Sequence, residues 1–175
     1  MSEGLSVSEI GKRLIQGSHW LTIYVTSRLL KLGVERQSIL WNVEHSGEEV
    51  DILAEFMGRL WIFELKDRDF GSGDAHPFNY RKVRYNANEA VVVTSGKVLA
   101  DARKVFQDLS DGARRMSAAN RSPLYVEGLE AVLPNLKMAF ERAADAQAKG
   151  LLYVPSIATG FDLRAAIGPG VGSAN

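Results

Sequence analysis

Residues 49–66 are the part of this chain with the fewest options. Val50, Ile52, Leu53, Ala54 and Phe56, then Leu60, Trp61, Ile62, Phe63 and Leu65, make two apolar arms around Met57-Gly58-Arg59. Arms of this length, rich in β-formers and joined through a glycine-containing tip, read as a β-hairpin that belongs in a core. Yet the hairpin carries Asp51 on its first arm and Glu64 and Lys66 near the end of its second. Burying an unpaired carboxylate costs several kcal/mol, so the fold must give these charges partners, a metal ion or an opening to solvent.

Whether the three charges meet depends on the turn, because strand residues alternate faces and a one-residue slip moves a side chain to the other side. A two-residue loop at Met57-Gly58 pairs Phe56 with Arg59 and sets Asp51 opposite Glu64. A loop at Gly58-Arg59 pairs Met57 with Leu60 and sets Asp51 opposite Lys66. Either register keeps Asp51, Glu64 and Lys66 on one face, and a three-residue loop separates them unless a bulge restores the phase.

The remaining elements follow in order. Ser6-Val7-Ser8-Glu9 resembles a helix start, and Trp20, Leu21, Ile23, Tyr24, Leu29, Leu30 and Leu32 recur at helical spacing until Gly33 caps the run. Residues 39–43 read as a strand, 45–48 as a turn and 67–77 as a loop at the rim of any site on the hairpin. A short basic helix fits 78–86, a buried strand 90–94, an amphipathic helix 98–109, and a loop or frayed helix end 110–122. A last strand fits 124–126, and a helix that Pro134 starts or kinks fits 129–149. Helix, strand, hairpin, helix, strand, helix, strand, helix is an α/β order, with a mixed central sheet flanked by helices.

At 175 residues and 46% hydrophobic content the chain suits one domain, taken as 5–154, with a partly disordered tail over 155–175. Without cysteine it has no disulfide framework and no thiolate zinc site. Residues 1–8 lack a signal-peptide pattern and no apolar run reaches the ~20 residues of a membrane span, so a cytoplasmic protein with no membrane partner is expected. Lys plus Arg and Asp plus Glu both number 21, which removes the global signature of a nucleic-acid binder but leaves local basic groups: Arg81, Lys82 and Arg84, then Arg114, Arg115 and Arg121.

Two carboxylates on one face suit a hard divalent ion such as Mg²⁺ or Mn²⁺, which takes oxygen ligands and leaves room for waters and a phosphate. Asp51 and Glu64 would supply the carboxylates, the Leu65 carbonyl a third oxygen, and Lys66 the group that orients water or stabilises developing charge. The plainer reading of the same residues is a cross-strand Asp51–Lys66 ion pair worth ~0.2–1 kcal/mol, with Glu64 solvated. No Ser/His/Asp order, glycine-rich phosphate loop or paired-histidine motif supports a protease, an NTPase or a zinc hydrolase.

Asp51 on one strand, Glu64-Leu65-Lys66 on the next, Trp20-Leu21 and Tyr24 in a preceding helix and Val91-Val92-Val93-Thr94 in a later strand resemble the restriction-endonuclease-like, or PD-(D/E)xK, nucleases. The motif-bearing core is taken as 17–109. Among branches it looks most like the nuclease domains of CRISPR ancillary effectors and of Mrr-like restriction enzymes. The resemblance implies a Mg²⁺- or Mn²⁺-dependent endonuclease of defence or repair type, with Asp51, Glu64 and Lys66 catalytic and Asp51, Glu64 and Leu65 on the metal. It further implies a nucleic-acid partner, DNA ahead of RNA, and a homodimer. Arg81, Lys82 and Arg84 are candidates for positioning phosphates, Tyr80 and Tyr85 for stacking on bases, and His76 for the site rim. Val50 stands where the name-giving proline would be and Thr22 where a first-helix glutamate is expected, so a third carboxylate is not implied. The alternative is a catalytically silent nucleic-acid-binding or dimerisation module that keeps the fold.

Overall fold

The computed structural model describes residues 19–45, 47–111 and 121–151. The chain divides into two compact units, the first ending at Val132 and the second beginning at Leu133. The first holds helix α1 (His19–Lys31), strands β1 (Ile39–His45), β2 (Glu48–Phe56) and β3 (Arg59–Lys66), helix α2 (Ser72–Arg84), strand β4 (Glu89–Thr94), helix α3 (Ala100–Asp111) and strand β5 (Leu124–Glu127). The strands form one sheet in the order β1-β2-β3-β4-β5. The first three run antiparallel, while β4 is parallel to β3 and β5 to β4. Parallel neighbours need crossovers, and α2 and α3 supply them. This is the α/β arrangement the sequence implied, a mixed central sheet flanked by helices.

The face of the sheet carrying Leu53, Ile62 and Val92 is covered by Phe70, Phe78, Ala102 and Phe106 from α2, α3 and the segment before them. Phe106 meets Phe78 edge-on at 6.3 Å and Phe70 in a stacked pair at 6.5 Å, geometries that aromatic quadrupoles favour. The opposite face presents Ile52, Trp61, Phe63, Val91 and Val93, all fully or almost fully buried, and α1 lies against β3 with Leu21, Val25 and Leu29 fully buried. Each such side chain contributes roughly 1.5–3 kcal/mol relative to exposure. Gly33 ends α1 at φ 91°, where its N–H donates to Leu30 O and that of Val34 to Leu29 O, each at 3.1 Å. This Schellman cap needs a left-handed residue, which is why glycine follows the apolar run.

Helix α2 begins at Ser72, inside a stretch whose composition predicts a loop, so the expected start at 78 is corrected. Gly, Asp and Ser here are not loop-formers but a first turn. Asp74 accepts the Gly71 N–H and Asp101 accepts the Ser72 N–H, each at 3.2 Å, satisfying donors that a helix start leaves open. Helix α3 begins two residues later than expected. Residues flanking Val98 pair with Phe70 instead, through Phe70 N to Lys97 O at 2.8 Å and Leu99 N to Phe70 O at 2.9 Å.

The second unit holds α4 (Val132–Leu151) from Leu133 onward. Pro134 sits in its first turn, where a missing N–H costs little, so the proline starts this helix without kinking it. The expected helix start at 6–9, Arg114 and Arg115, and the tail at 155–175 lie outside the described residues.

Candidate active site

The hairpin turns at Met57 (φ 53°) and Gly58 (φ 64°), both left-handed as a two-residue type I′ loop requires. Phe56 therefore pairs with Arg59, Ala54 with Trp61 and Ile52 with Phe63. Continued by one residue, this register sets Asp51 opposite Glu64, the first of the two expected alternatives. The ladder, however, stops at Ile52 and Phe63. Beyond that point residues 48–50 pair only with β1, and residues 64–66 pair only with β4.

The break has a local cause. In a continued ladder the Leu65 N–H would donate to Val50 C=O; here it donates to the Asp51 carboxylate, Oδ2, at 2.6 Å. A strand residue points its N–H and C=O to the same edge, so the Leu65 carbonyl is also directed toward β2, into the opening. On the other side, β1 and β2 pair at Trp41–Ile52 and at Val43–Val50 but not at the intervening Asn42–Asp51 position. Asn42 there has φ 46°, a conformation that asparagine tolerates better than most residues. Asp51 is thus released from regular pairing on both sides.

Glu64 is held between two cations. Lys66 Nζ lies 2.8 Å from its Oε1 and Arg81 Nη2, from α2, 2.6 Å from its Oε2. The second nitrogen of the Arg81 fork, Nη1, donates to Glu49 O on β2 at 2.9 Å. Lys66 is also 4.0 Å from Asp74, which Arg68 grips with two hydrogen bonds of 2.8 Å. Only 5% of the Glu64 side chain and 13% of that of Arg81 are exposed, against 25% for Lys66, so the cluster opens to solvent on the lysine side.

Burial pushes the Asp51 carboxyl above the ordinary carboxylate range, against the Leu65 N–H, Lys66 and Arg81, which pull it down. Glu64 is likewise raised, by burial first and by the nearby charge of Asp51 second, again against Lys66 and Arg81. Two carboxylates in this condition favour a cation between them. The donors are all oxygen, from Asp51, Glu64 and the Leu65 carbonyl, and suit Mg²⁺ or Mn²⁺, which need only one or two carboxylates beside water and phosphate. Among the described residues no group of three or more His, Cys, Asp or Glu is placed to hold a metal ion. Thr22, at the position where the resemblance places a glutamate, is buried in α1.

The basic segment does not form one surface. Successive helix residues are turned ~100° apart, and the three cations go three ways. Arg81 points into the cluster. Lys82 is buried, with its ammonium donating to Arg121 O at 2.8 Å and lying 5.7 Å from the Phe106 ring centre, so its expected phosphate contact is corrected to a core role. Arg84 is exposed, over the ring of Tyr80, itself half exposed. His76 lies with Lys104 and Asp108 along a groove between α2 and α3. Sequence reasoning missed Asn42, whose signal was an asparagine inside a strand, and Asp74, whose signal was an acid three residues after Gly71.

No family model matches the chain, and no curated protein does. Among solved structures it is similar to a protein of unknown function, AF1548, at TM-score 0.44 and 18% identity over 65% of this chain and 66% of that one. It is also similar to a repair endonuclease from Pyrococcus abyssi, at TM-score 0.39 and 18% identity over 61% of this chain and 46% of that one. The match spans less than two thirds of either protein.

Proposed function

We propose that the protein is a metal-dependent nuclease hydrolysing phosphodiester bonds, in DNA ahead of RNA. The observation that carries this reading is the opened end of the hairpin, where Asp51 leaves both ladders and its carboxylate, Glu64, Lys66 and the Leu65 carbonyl come to one gap. Nothing in strand pairing alone calls for such an opening, and an Asp51–Lys66 ion pair would not require it. In this reading Asp51, Glu64 and the Leu65 carbonyl hold Mg²⁺ or Mn²⁺. Such an ion, when bound, polarises a phosphoryl oxygen and lowers the pKa of a water. Lys66 keeps its ammonium beside the carboxylates and donates hydrogen bonds to the attacking water or to charge growing on the phosphate. Arg84 is the exposed member of the basic segment and the candidate for a phosphate contact. Cutting both strands of a duplex takes two such sites, which a homodimer would supply.

The second reading is a catalytically silent nucleic-acid-binding module. It is favoured by Lys66 and Arg81, which already supply Glu64 with two positive partners without a metal. One experiment separates the two. Plasmid and single-stranded RNA are incubated with the protein in Mg²⁺, Mn²⁺ or EDTA, beside Lys66→Ala and Asp51→Asn. Metal-dependent cleavage lost in both variants is expected; no cleavage of either substrate by the wild type would leave the binding module as the better reading.

A further inference from the structure

We infer that Arg81 is the positioning residue of this site, aiming the Glu64 carboxylate from α2, and does not itself meet a phosphate; the inference rests on the nuclease reading. Three observations carry it. The guanidinium is withdrawn from solvent, whereas a phosphate-contacting arginine keeps donors turned outward. Its fork is spent on two protein oxygens, Glu64 Oε2 at 2.6 Å and Glu49 O at 2.9 Å. Those oxygens belong to β3 and β2, the two strands whose own hydrogen bonding has just ended. Arg81 therefore spans the opening where the backbone no longer does. It fixes both the separation of the strands and the rotation of Glu64.

The chemistry of arginine explains why this position is not filled by a lysine. A planar fork with a fixed angle between its nitrogens sets the distance between two acceptors, while a single ammonium leaves that distance free. With Oε2 engaged by Arg81, Glu64 offers Oε1 to a metal on the side where Lys66 stands and where the cluster meets solvent.

The test uses the full chain as wild type, Arg81→Gln, Arg81→Lys and Arg84→Gln. Binding of Mn²⁺ alone is measured by titration calorimetry, and binding of a labelled DNA duplex by anisotropy in EDTA at several salt concentrations. Both Arg81 variants are expected to weaken Mn²⁺ binding tenfold or more and to lower kcat in Mn²⁺, while DNA affinity and its salt slope stay at wild-type values. Arg81→Lys keeps the charge beside Glu64, so weakened Mn²⁺ binding there isolates geometry, and it serves if Arg81→Gln fails to fold. Unchanged Mn²⁺ binding with weaker DNA binding and a salt slope reduced by about one would make Arg81 a phosphate contact and overturn the proposal. Tighter Mn²⁺ binding by Arg81→Gln would make it a competing cation and also overturn it. A wild type that binds no Mn²⁺ removes the nuclease reading along with this one, whereas a wild type and Arg81 variants that bind it equally remove this one alone. Arg84→Gln is expected to show the reverse pattern, with DNA affinity reduced and Mn²⁺ binding kept.

Discussion

The carboxylate of Asp51 takes the backbone N–H of Leu65 at 2.6 Å, substituting for the carbonyl of Val50 that a regular antiparallel pair would use. A side chain has entered the hydrogen-bond ladder, and the two strands part there. The candidate site begins from this exchange, because it sets one carboxylate beside Glu64 and leaves the Leu65 carbonyl, directed toward β2, at the edge of a gap.

The exchange has a thermodynamic signature. A carboxyl whose folded pKa lies above its ordinary value of 3.8 binds more protons in the native state. Its contribution to stability is therefore fully present below that ordinary value and is lost as pH rises through the folded one. Asp51→Asn keeps an acceptor for the Leu65 N–H and removes the buried charge. Without metal it should melt higher than wild type at pH 7, with the gap closing as pH falls toward 4. Calorimetric melts at both pH values check this; a variant less stable than wild type at pH 7 would mean that the charge is better satisfied than burial implies.

Asn42 should behave as a conformational residue. Asn42→Gly can keep φ 46° and is expected to melt within about a degree of wild type, whereas Asn42→Val is expected to lose about 1–2 kcal/mol, since a β-branched residue resists the left-handed region. Denaturant unfolding of the two variants measures the difference directly. Equal midpoints would show that β1 straightens at no cost and that the broken pairing opposite Asp51 is incidental.

Lys82 provides a second pH probe, remote from the carboxylates. Burial lowers its pKa from 10.5 to about 8, so between those values the unfolded chain holds a proton that the native chain has released. Stability then rises with pH across that interval. Relative to Lys82→Met, which has no proton to lose, the wild type should gain in melting temperature from pH 8 to pH 10.5 and show a constant difference below pH 7. A difference that is flat throughout would mean that the ammonium is hydrated, contrary to its burial.

Much of this was legible in the sequence because the relevant signals are short-range. Alternation, a glycine at a helix end and a β-branched run are local, and they fixed the order of elements, the Gly33 cap and the face shared by Asp51, Glu64 and Lys66. The start of α2 was not legible, because Gly, Asp and Ser serve equally in loops and in helix caps, and only the partners of Asp74 and Asp101 separate the two. The fate of the basic segment was hidden for a similar reason. Composition reports that Arg81, Lys82 and Arg84 are positive, but their burial depends on where Glu64, Arg121 and Phe106 stand, and those lie 17 to 39 positions away in the chain.

The two-residue turn at Met57-Gly58 acts as a parity setting for the whole site. Asp51 and Glu64 lie on one face of the sheet because the number of residues between them is even and the tip is tight, although neither belongs to the tip. One residue inserted there, with the two-residue turn kept, would shift the phase of one arm relative to the other and send one carboxylate to the α1 side of the sheet; two would restore it. A chemical arrangement is thus governed by counting at a distance, at a place where no catalytic side chain would reveal the damage.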